Sequence, residues 1–459
     1  MRPRSAVAGL RRTSAEWAST LWMPVVLVLA AVVTVGAYVH FHSPAASPID
    51  EWVYMDYLFK MPQHWIVHTG DLVGQQAREI DACYGVRNYG TAKVPCGGDY
   101  SNLAAFPYSG KTSAGSYLPF YFGITWAIGA AAHAVTGMTL VAGWRLAGAF
   151  WLALALVLFV VVARRLGVHD VVTLALGLGF IASPYALTTY TFISTDAPCA
   201  AITLALLLLA WSVVRGRASG WWLVPASAVA VAFKVTNLIG IGFAVLFLFV
   251  SWLYELPRTR WSGILTRRPD APKRFTLAMP LYLVLPVAAG AIVQEVWLKY
   301  VAATAVASGA SQGIAIPFNF FANLQTGFQQ LAGTVTTNVG IPSSTGHVFT
   351  AAYFEPLGWL CVIGVFGVLC LRPAFRLPFA PLAISTAVMG VAALPVLGLG
   401  MHLITGGYFA IPLRYAGMLV LPYFLMMGVL VRNRWARWAV FAYCAGLLLW
   451  VVLRSPVYG

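Results

Sequence analysis

The chain has 459 residues, of which 60% are hydrophobic and only 9% charged, too few charges to clothe a water-soluble domain of that size. Its 29 Lys and Arg against 14 Asp and Glu give a formal net charge of +15. This excess does not point to nucleic acid, because most basic residues fall in short loops between apolar segments, where membrane topology accounts for them.

The N-terminus, "MRPRSAVAGLRR", precedes the apolar run "LWMPVVLVLAAVVTVGAYVHF". The run is about 20 residues long, enough to span a bilayer, and lacks a small-residue cleavage site, so it is expected to remain as an anchor. Arg2, Arg4, Arg11 and Arg12 place the N-terminus in the cytoplasm by the positive-inside rule, and the first helix, 21–42, delivers the chain to the other side. Residues 43–116 form the longest polar section, rich in Gly, Pro, Asn and Tyr. They read as a structured extracytoplasmic cap. Cys83 and Cys96 share this stretch, where an oxidising compartment would permit a disulfide, two free thiols being the other option. The cysteines at 199, 361, 370 and 444 lie in or beside apolar segments and are expected to be packing residues.

Two helical segments follow, 117–136 and 141–163. If both crossed, "ARRLG" at 163–167 would face outward against the charge rule. Laying 117–136 in the interface, as a juxtamembrane segment carrying Tyr117, Tyr121, Trp126 and His133, removes the conflict, a bilayer pass being the alternative. The basic stretches "VRGRASG", "LPRTRWSGILTRRPDAPKRF", "LRPAFRLP" and "VRNRWARW" are expected in the cytoplasm. Between and around them, 171–190, 198–214, 221–254 (two passes), 276–294, 353–371, 379–400, 414–431 and 438–453 have spanning length. The expected fold is therefore all-α: a polytopic transmembrane bundle of about eleven helices with a structured extracytoplasmic first loop. It divides into the N-terminus and first helix (1–42), the extracytoplasmic catalytic loop with juxtamembrane helices (43–136) and the bundle (137–459).

Rare charges in such a chain mark function. Asp50 and Glu51 sit together in "SPIDEWVYMDYLF", just past the first helix. Asp196 in "FISTDAPC", Lys234 in "VAVAFKVTNL" and Arg414 in "IPLRYAGMLVLP" fall toward the same side on this map. Carboxylates and cations sharing one face can hold an anionic group beside a general base. Each residue also has a plainer reading. Lys234 could snorkel, Arg414 could anchor its helix in headgroups, Asp196 could cap the next helix, and Asp50 and Glu51 could favour a helix dipole. His64 and His68 have i, i+4 spacing without the Glu of the zinc-protease motif, and "SGKTS" at 109–113 lacks the leading Gly of a phosphate loop, Ala105 standing there.

Taken together, "DE" at Asp50 and Glu51, "SYLPFYF" at 116–122, "STDAP" at 194–198, "FKVTNL" around Lys234, and Arg414 and Tyr415 followed by "LVLP" resemble the GT-C superfamily of multi-spanning glycosyltransferases. That superfamily includes the protein O-mannosyltransferases and the aminoarabinose transferases of lipid A. "SYLPF" has one Pro where many relatives have two, which leaves that loop's details open, and no large soluble domain follows the last helix, which disfavours a bulky protein acceptor. The resemblance implies transfer of a sugar from a polyprenyl-phosphate donor to a lipid, glycan or protein hydroxyl outside the cytoplasm, at the plasma or inner membrane. It further implies inversion, Asp50 as catalytic base, and Glu51 assisting or binding sugar. Arg414 and Lys234 would hold the donor phosphate, and Asp196, Tyr415 and Tyr54 the acceptor or sugar. No metal is obligatory in such a reaction, a divalent ion being optional, and nucleic acid has no part in it. The competing expectations are a transporter or lipid flippase, which would also keep rare charges in a bundle, and a non-catalytic scaffold.

Overall fold

Apolar runs bounded by Pro, Gly and charged residues fold here as helices; the computed structural model describes residues 14–41, 44–87, 90–255, 273–310, 316–336, 347–372, 379–409 and 411–454. Arg2, Arg4, Arg11 and Arg12, the basic loop 256–272, and residues 373–378, on which part of the expected topology rests, lie outside the described residues. Within them there are sixteen α-helices, and the only β pairing is three isolated bridges.

Eight of these helices contain stretches long and apolar enough to cross a membrane: α1 (Ser14–Phe41), α5 (Leu140–Arg165), α10 (Leu238–Glu255), α11 (Lys273–Ala303), α13 (His347–Cys370), α14 (Ala380–Thr405), α15 (Val420–Leu430, with the 3-10 turn Leu413–Leu419 before it) and α16 (Arg434–Leu453). A ninth candidate is the pair α6 (Asp170–Ile181) and α7 (Pro184–Tyr190), bent by 59°. The break has a local cause. Ser183 accepts a bond from the Ala186 amide at 3.1 Å and donates to the Phe180 carbonyl at 2.6 Å, so it caps one helix while closing the other, and Pro184 at the first helical position donates no amide hydrogen. Two shorter apolar helices, α8 (Cys199–Val214) and α9 (Leu223–Phe233, extended by the 3-10 turn Gly220–Trp222), stand where the two remaining passes are expected, both shorter than the other spans. The chain is a multi-pass membrane protein with an all-α bundle.

Helix α4 (Phe120–Thr136), expected in the interface, folds back along the first half of α5. Gly129 makes this possible: a Cβ there would meet the Trp144 ring at 2.2 Å and its backbone nitrogen at 2.7 Å. Gly137, at φ 72°, closes α4, and the Thr139 hydroxyl caps α5 by accepting from the Ala142 amide. Helix α12 (Phe320–Thr336) was not foreseen, because its Asn and Gln residues break the hydropathy pattern. These amides have a purpose. Asn323 donates to the Pro395 carbonyl at 2.9 Å, and Gln330 donates to Met389 O and accepts from the Leu394 amide. They supply partners to the α14 backbone around Pro395, where the missing N–H interrupts the helical ladder.

The polar section folds as α2 (Glu51–Lys60), α3 (Gln75–Tyr84) and three short 3-10 turns. Cys83 and Cys96, 13 residues apart, are joined in a disulfide, and Ala46 is stitched to the chain at Gly85 and Arg87 by backbone hydrogen bonds. Closing a loop of this size contributes about 3 kcal/mol in the chain-entropy picture. Replacing both cysteines by Ser is thus expected to make the cap more sensitive to limited proteolysis under non-reducing conditions. Peptide mapping of unreduced protein should recover the linked pair, and two free thiols would contradict it.

Candidate active site

The turn Ser47–Asp50 delivers the chain into α2 with Asp50 in the left-handed region, φ 56° and ψ 3°, a conformation that costs a non-glycine residue about 1 kcal/mol or more. Its neighbour holds it there. Glu51 is fully buried, and both its oxygens are occupied: Oε1 accepts from Arg145 Nε at 2.8 Å and from the Ile193 amide at 2.9 Å, and Oε2 from Arg145 Nη2 at 3.0 Å and from the Ser47 amide at 2.7 Å. Arg145 also donates to the Ala45 carbonyl and lies over the Phe192 ring. One carboxylate thereby ties the turn before α2, helix α5 and the loop after α7 together. The role of Glu51 in assisting the base or binding sugar, expected from the resemblance, is not what its contacts offer, since no lone pair is left facing a ligand.

That loop, 191–198, is buried throughout. The Ser194 amide donates to Tyr121 Oη and the Ser194 hydroxyl accepts from the Asp196 amide. Asp196 does not cap α8 with its side chain. Its Oδ1 accepts from Lys234 Nζ at 2.6 Å, and its Oδ2 lies 3.8 Å from Arg414 Nε. Lys234 falls at the break between α9 and α10, at φ −166° and ψ 138°, where Asn237 donates to the Ala230 carbonyl and repairs the interrupted ladder. Its ammonium is buried against Asp196 and does not snorkel. Arg414 follows Pro412 in the 3-10 turn before α15, and its Nη2 lies 3.9 Å from Asp50 Oδ2.

The result is a ladder of alternating charge, Lys234, Asp196, Arg414, Asp50. The two inner members are closed off, with side chains 4% and 5% exposed at Lys234 and Asp196, whereas Arg414 at 17% and Asp50 at 27% are reachable. Arg414 Nε is buried without a hydrogen-bond partner, so two loose ion-pair contacts and the Tyr415 ring are what hold this guanidinium. Desolvation by burial raises the Asp50 carboxyl above its ordinary range, the nearby Asp196 adding to this while Arg414 and Lys234 oppose it. Around the ladder, the Tyr415 ring lies 5.0 Å from Lys234 Nζ and 5.1 Å from Arg414 Cζ, holding the cations side by side. The Tyr54 hydroxyl meets Tyr117 Oη at 3.0 Å and Thr195 Oγ1 at 3.3 Å.

Asp50, Asp196, Lys234, Arg414, Tyr415 and Tyr54 are thus gathered at one end of the bundle, and Glu51 lies behind them. Of the weaker motifs, His64 and His68 lie on irregular chain after α2, and Lys111 of "SGKTS" donates to Ser308. Among the described residues no group of three or more His, Cys, Asp or Glu could hold a metal ion. Sequence reasoning passed over Arg145, although a lone Arg in "GWRLAG" was a signal of the same kind as Lys234. Arg145→Ala should destabilise the fold by about 3–5 kcal/mol, because it strands a buried carboxylate. Thermal unfolding in detergent checks this, and a double change of Arg145 and Glu51 to apolar residues should cost less than the two single changes added together.

No protein-family model matches the chain, and no curated protein sequence matches it. Among solved structures it is similar to ArnT from Cupriavidus metallidurans bound to undecaprenyl phosphate, at 19% identity over 90% of this chain and 61% of that one, with a TM-score of 0.46. It is also similar to the Archaeoglobus fulgidus oligosaccharyltransferase tethered to an acceptor peptide, at 14% identity over 96% of this chain and 55% of that one, with a TM-score of 0.43. The apo state of the same ArnT aligns at 16% identity over 96% of this chain and 78% of that one, with a TM-score of 0.37. The chain spans about three-fifths of the length of the first of these structures.

Proposed function

We propose that this chain is a membrane glycosyltransferase that moves a sugar from a polyprenyl-phosphate donor to an acceptor hydroxyl at the extracytoplasmic face, with inversion at the anomeric carbon. The observation that carries the reading is the reachable pair at the top of the charge ladder, Asp50 and Arg414, facing each other across 3.9 Å above the buried Lys234–Asp196 pair. A carboxylate beside a loosely held guanidinium offers a proton acceptor on one side and an anion clamp on the other.

In the reaction, the acceptor hydroxyl gives its proton to Asp50 as its oxygen forms a bond to the anomeric carbon. The bond from that carbon to the phosphate oxygen breaks, and its electron pair leaves on the lipid phosphate. Phosphate is already a competent leaving anion, so the site needs mainly one base and charge stabilisation opposite it. Arg414 takes the phosphate, and Lys234 sets the field behind it while fixing Asp196. Glu51 acts through position, holding Asp50 in its left-handed turn. The hydroxyls of Tyr54 and Tyr117 border the acceptor side, and Tyr415 keeps the two cations together. Arg414 and Lys234 supply positive charge without a metal ion, and a divalent cation remains an addition that activity assays with a chelator would reveal.

The extracytoplasmic placement rests on charge. Arg165, Arg215, Arg217, Arg432, Arg434 and Arg437 lie at or just past the other ends of helices that reach the site, the pattern of a cytoplasmic face. In a Cys370→Ser background, an impermeant maleimide should label Ser101→Cys in intact cells and Arg217→Cys only after permeabilisation; the reverse pattern would overturn the placement. For the donor class, native mass spectrometry of the purified protein is expected to find a polyprenyl phosphate or its glycoside retained. Retention of bulk phospholipid alone, with no binding of added polyprenyl phosphate, would remove the reading.

A further inference from the structure

A second charged feature lies far from this site. Helix α5 runs from Arg145, at the site, to Arg165, about 30 Å away at 1.5 Å per residue, and α8 runs parallel to that course from Cys199, three residues past Asp196, to Val214. Where they end, Arg165, Trp211, Ser212, Arg215 and Arg217 line a cavity of about 250 Å³. Its lining among the described residues holds three guanidiniums, a hydroxyl and an indole, and no carboxylate.

Helix dipoles favour one cation each at the ends of α5 and α8. The positive-inside rule accounts for Arg217 on this face, but neither it nor the dipoles call for three cations to line one concavity. Arginine stays protonated in proteins, so the convergence cannot be relieved by losing a proton. Among the acids at this end whose side chains are described, Asp170 pairs at 3.9 Å with Arg164 and not with these three. No hydrogen bond or ion pair from the side chains of Arg165, Arg215 or Arg217 is formed within the described residues, and all three are exposed. An anion seated among these guanidiniums would gain charge-assisted hydrogen bonds from each of them. Trp211 adds the second half of the recognition. Its ring stacks on Phe247 with centroids 5.8 Å apart, giving the cavity an apolar wall at the level where the spanning helices end, the depth at which indoles meet headgroups.

We propose that this cavity is a binding site for the phosphodiester headgroup of an anionic phospholipid, at the opposite end of the bundle from the candidate active site. The three arginines engage the headgroup phosphate, and the acyl chains run back along the apolar flanks of α5 and α8. A free phosphate ion offers the same anion without the chains, so the lipid is distinguished by the apolar contact.

The test uses full-length protein in a neutral detergent, titrated separately with short-chain phosphatidylglycerol, short-chain phosphatidylcholine and inorganic phosphate. Binding is read by native mass spectrometry and by the thermal unfolding midpoint. Phosphatidylglycerol is expected to bind and raise the midpoint, and the other two to do neither. Arg215→Gln with Arg217→Gln should weaken phosphatidylglycerol binding about tenfold or more, as expected for lost charge-assisted contacts, while Arg217→Lys retains part of it. The midpoint of the variant without lipid separates loss of the site from loss of the fold. If the glutamine variant folds and binds phosphatidylglycerol as the wild type does, or if phosphatidylcholine binds equally, the proposal is wrong. If inorganic phosphate binds and the lipid adds nothing, the lipid assignment is overturned.

Discussion

Asp50→Asn is expected to lower sugar transfer by about two to four orders of magnitude, the usual contribution of a general base, while strengthening the binding of polyprenyl phosphate. The first effect follows because the amide keeps the shape of the side chain but cannot accept the acceptor's proton. The second follows from the geometry. Arg414 Nη2 lies 3.9 Å from Asp50 Oδ2, so carboxylate and lipid phosphate compete for one guanidinium, and removing the carboxylate charge leaves Arg414 to the phosphate. The pH dependence carries the same signature. Burial raises the Asp50 carboxyl above its ordinary value of 3.8. Because the base works deprotonated, transfer should be full well above that raised value and fall as pH drops through it. Binding of the donor phosphodiester, whose single charge does not titrate in this range, should move the other way, strengthening as Asp50 is protonated and releases Arg414. Binding isotherms and single-turnover transfer over one pH series check both limbs. An Asp50→Asn protein that kept more than about a tenth of wild-type transfer would lie outside what loss of a general base allows and would move the proton acceptor elsewhere.

Arg414→Ala is expected to act on a different step. It removes the proposed phosphate clamp, so donor affinity should fall about tenfold to a hundredfold, as for a hydrogen bond to a charged group lost at a desolvated site. Turnover at saturating donor should fall too, because negative charge grows on the phosphate as its bond to the sugar breaks. A further consequence separates Arg414 from a merely structural residue. Arg414 lowers the Asp50 carboxyl, so its loss should shift the acid limb of the rate profile to higher pH. Arg414→Lys should return part of the affinity but not the geometry, since an ammonium cannot engage phosphate and Asp196 with separate nitrogens. A profile unmoved on the acid side would mean that Arg414 does not face Asp50 in solution.

The contrast between Lys234 and Glu51 shows what the sequence could and could not reveal. The apolar runs, and the rarity of charge within them, were enough to locate the spanning helices and to single out Asp50, Asp196, Lys234 and Arg414, because burying an ion is costly enough to leave a visible mark in composition. The same rarity marked Glu51, but it could not tell a ligand-facing carboxylate from a buried strut. That depends on Arg145, 94 positions away, and on the Ile193 amide, 142 positions away. Pairings at such separations have no local signature. Helix α12 escaped for a related reason: Asn323 and Gln330 make it look too polar for the bundle, and only the backbone of α14 around Pro395 explains why they are there. The break at Lys234 was legible only as an overlong apolar run, and its position depended on Asn237 reaching back to Ala230.

Glycosyl transfer requires that Asp50 support cleavage of a polyprenyl-phosphate glycoside. The most direct measurement mixes purified wild-type and Asp50→Asn protein, each in proteoliposomes, with a donor labelled in both sugar and lipid, and follows free lipid phosphate and intact donor on each side of the bilayer. Wild-type protein should release polyprenyl phosphate as the sugar appears on an acceptor, and the Asn variant should bind the donor without releasing it. Movement of intact donor across the bilayer at equal rates in both proteins, with no lipid phosphate released, would contradict the account and identify a lipid transporter instead.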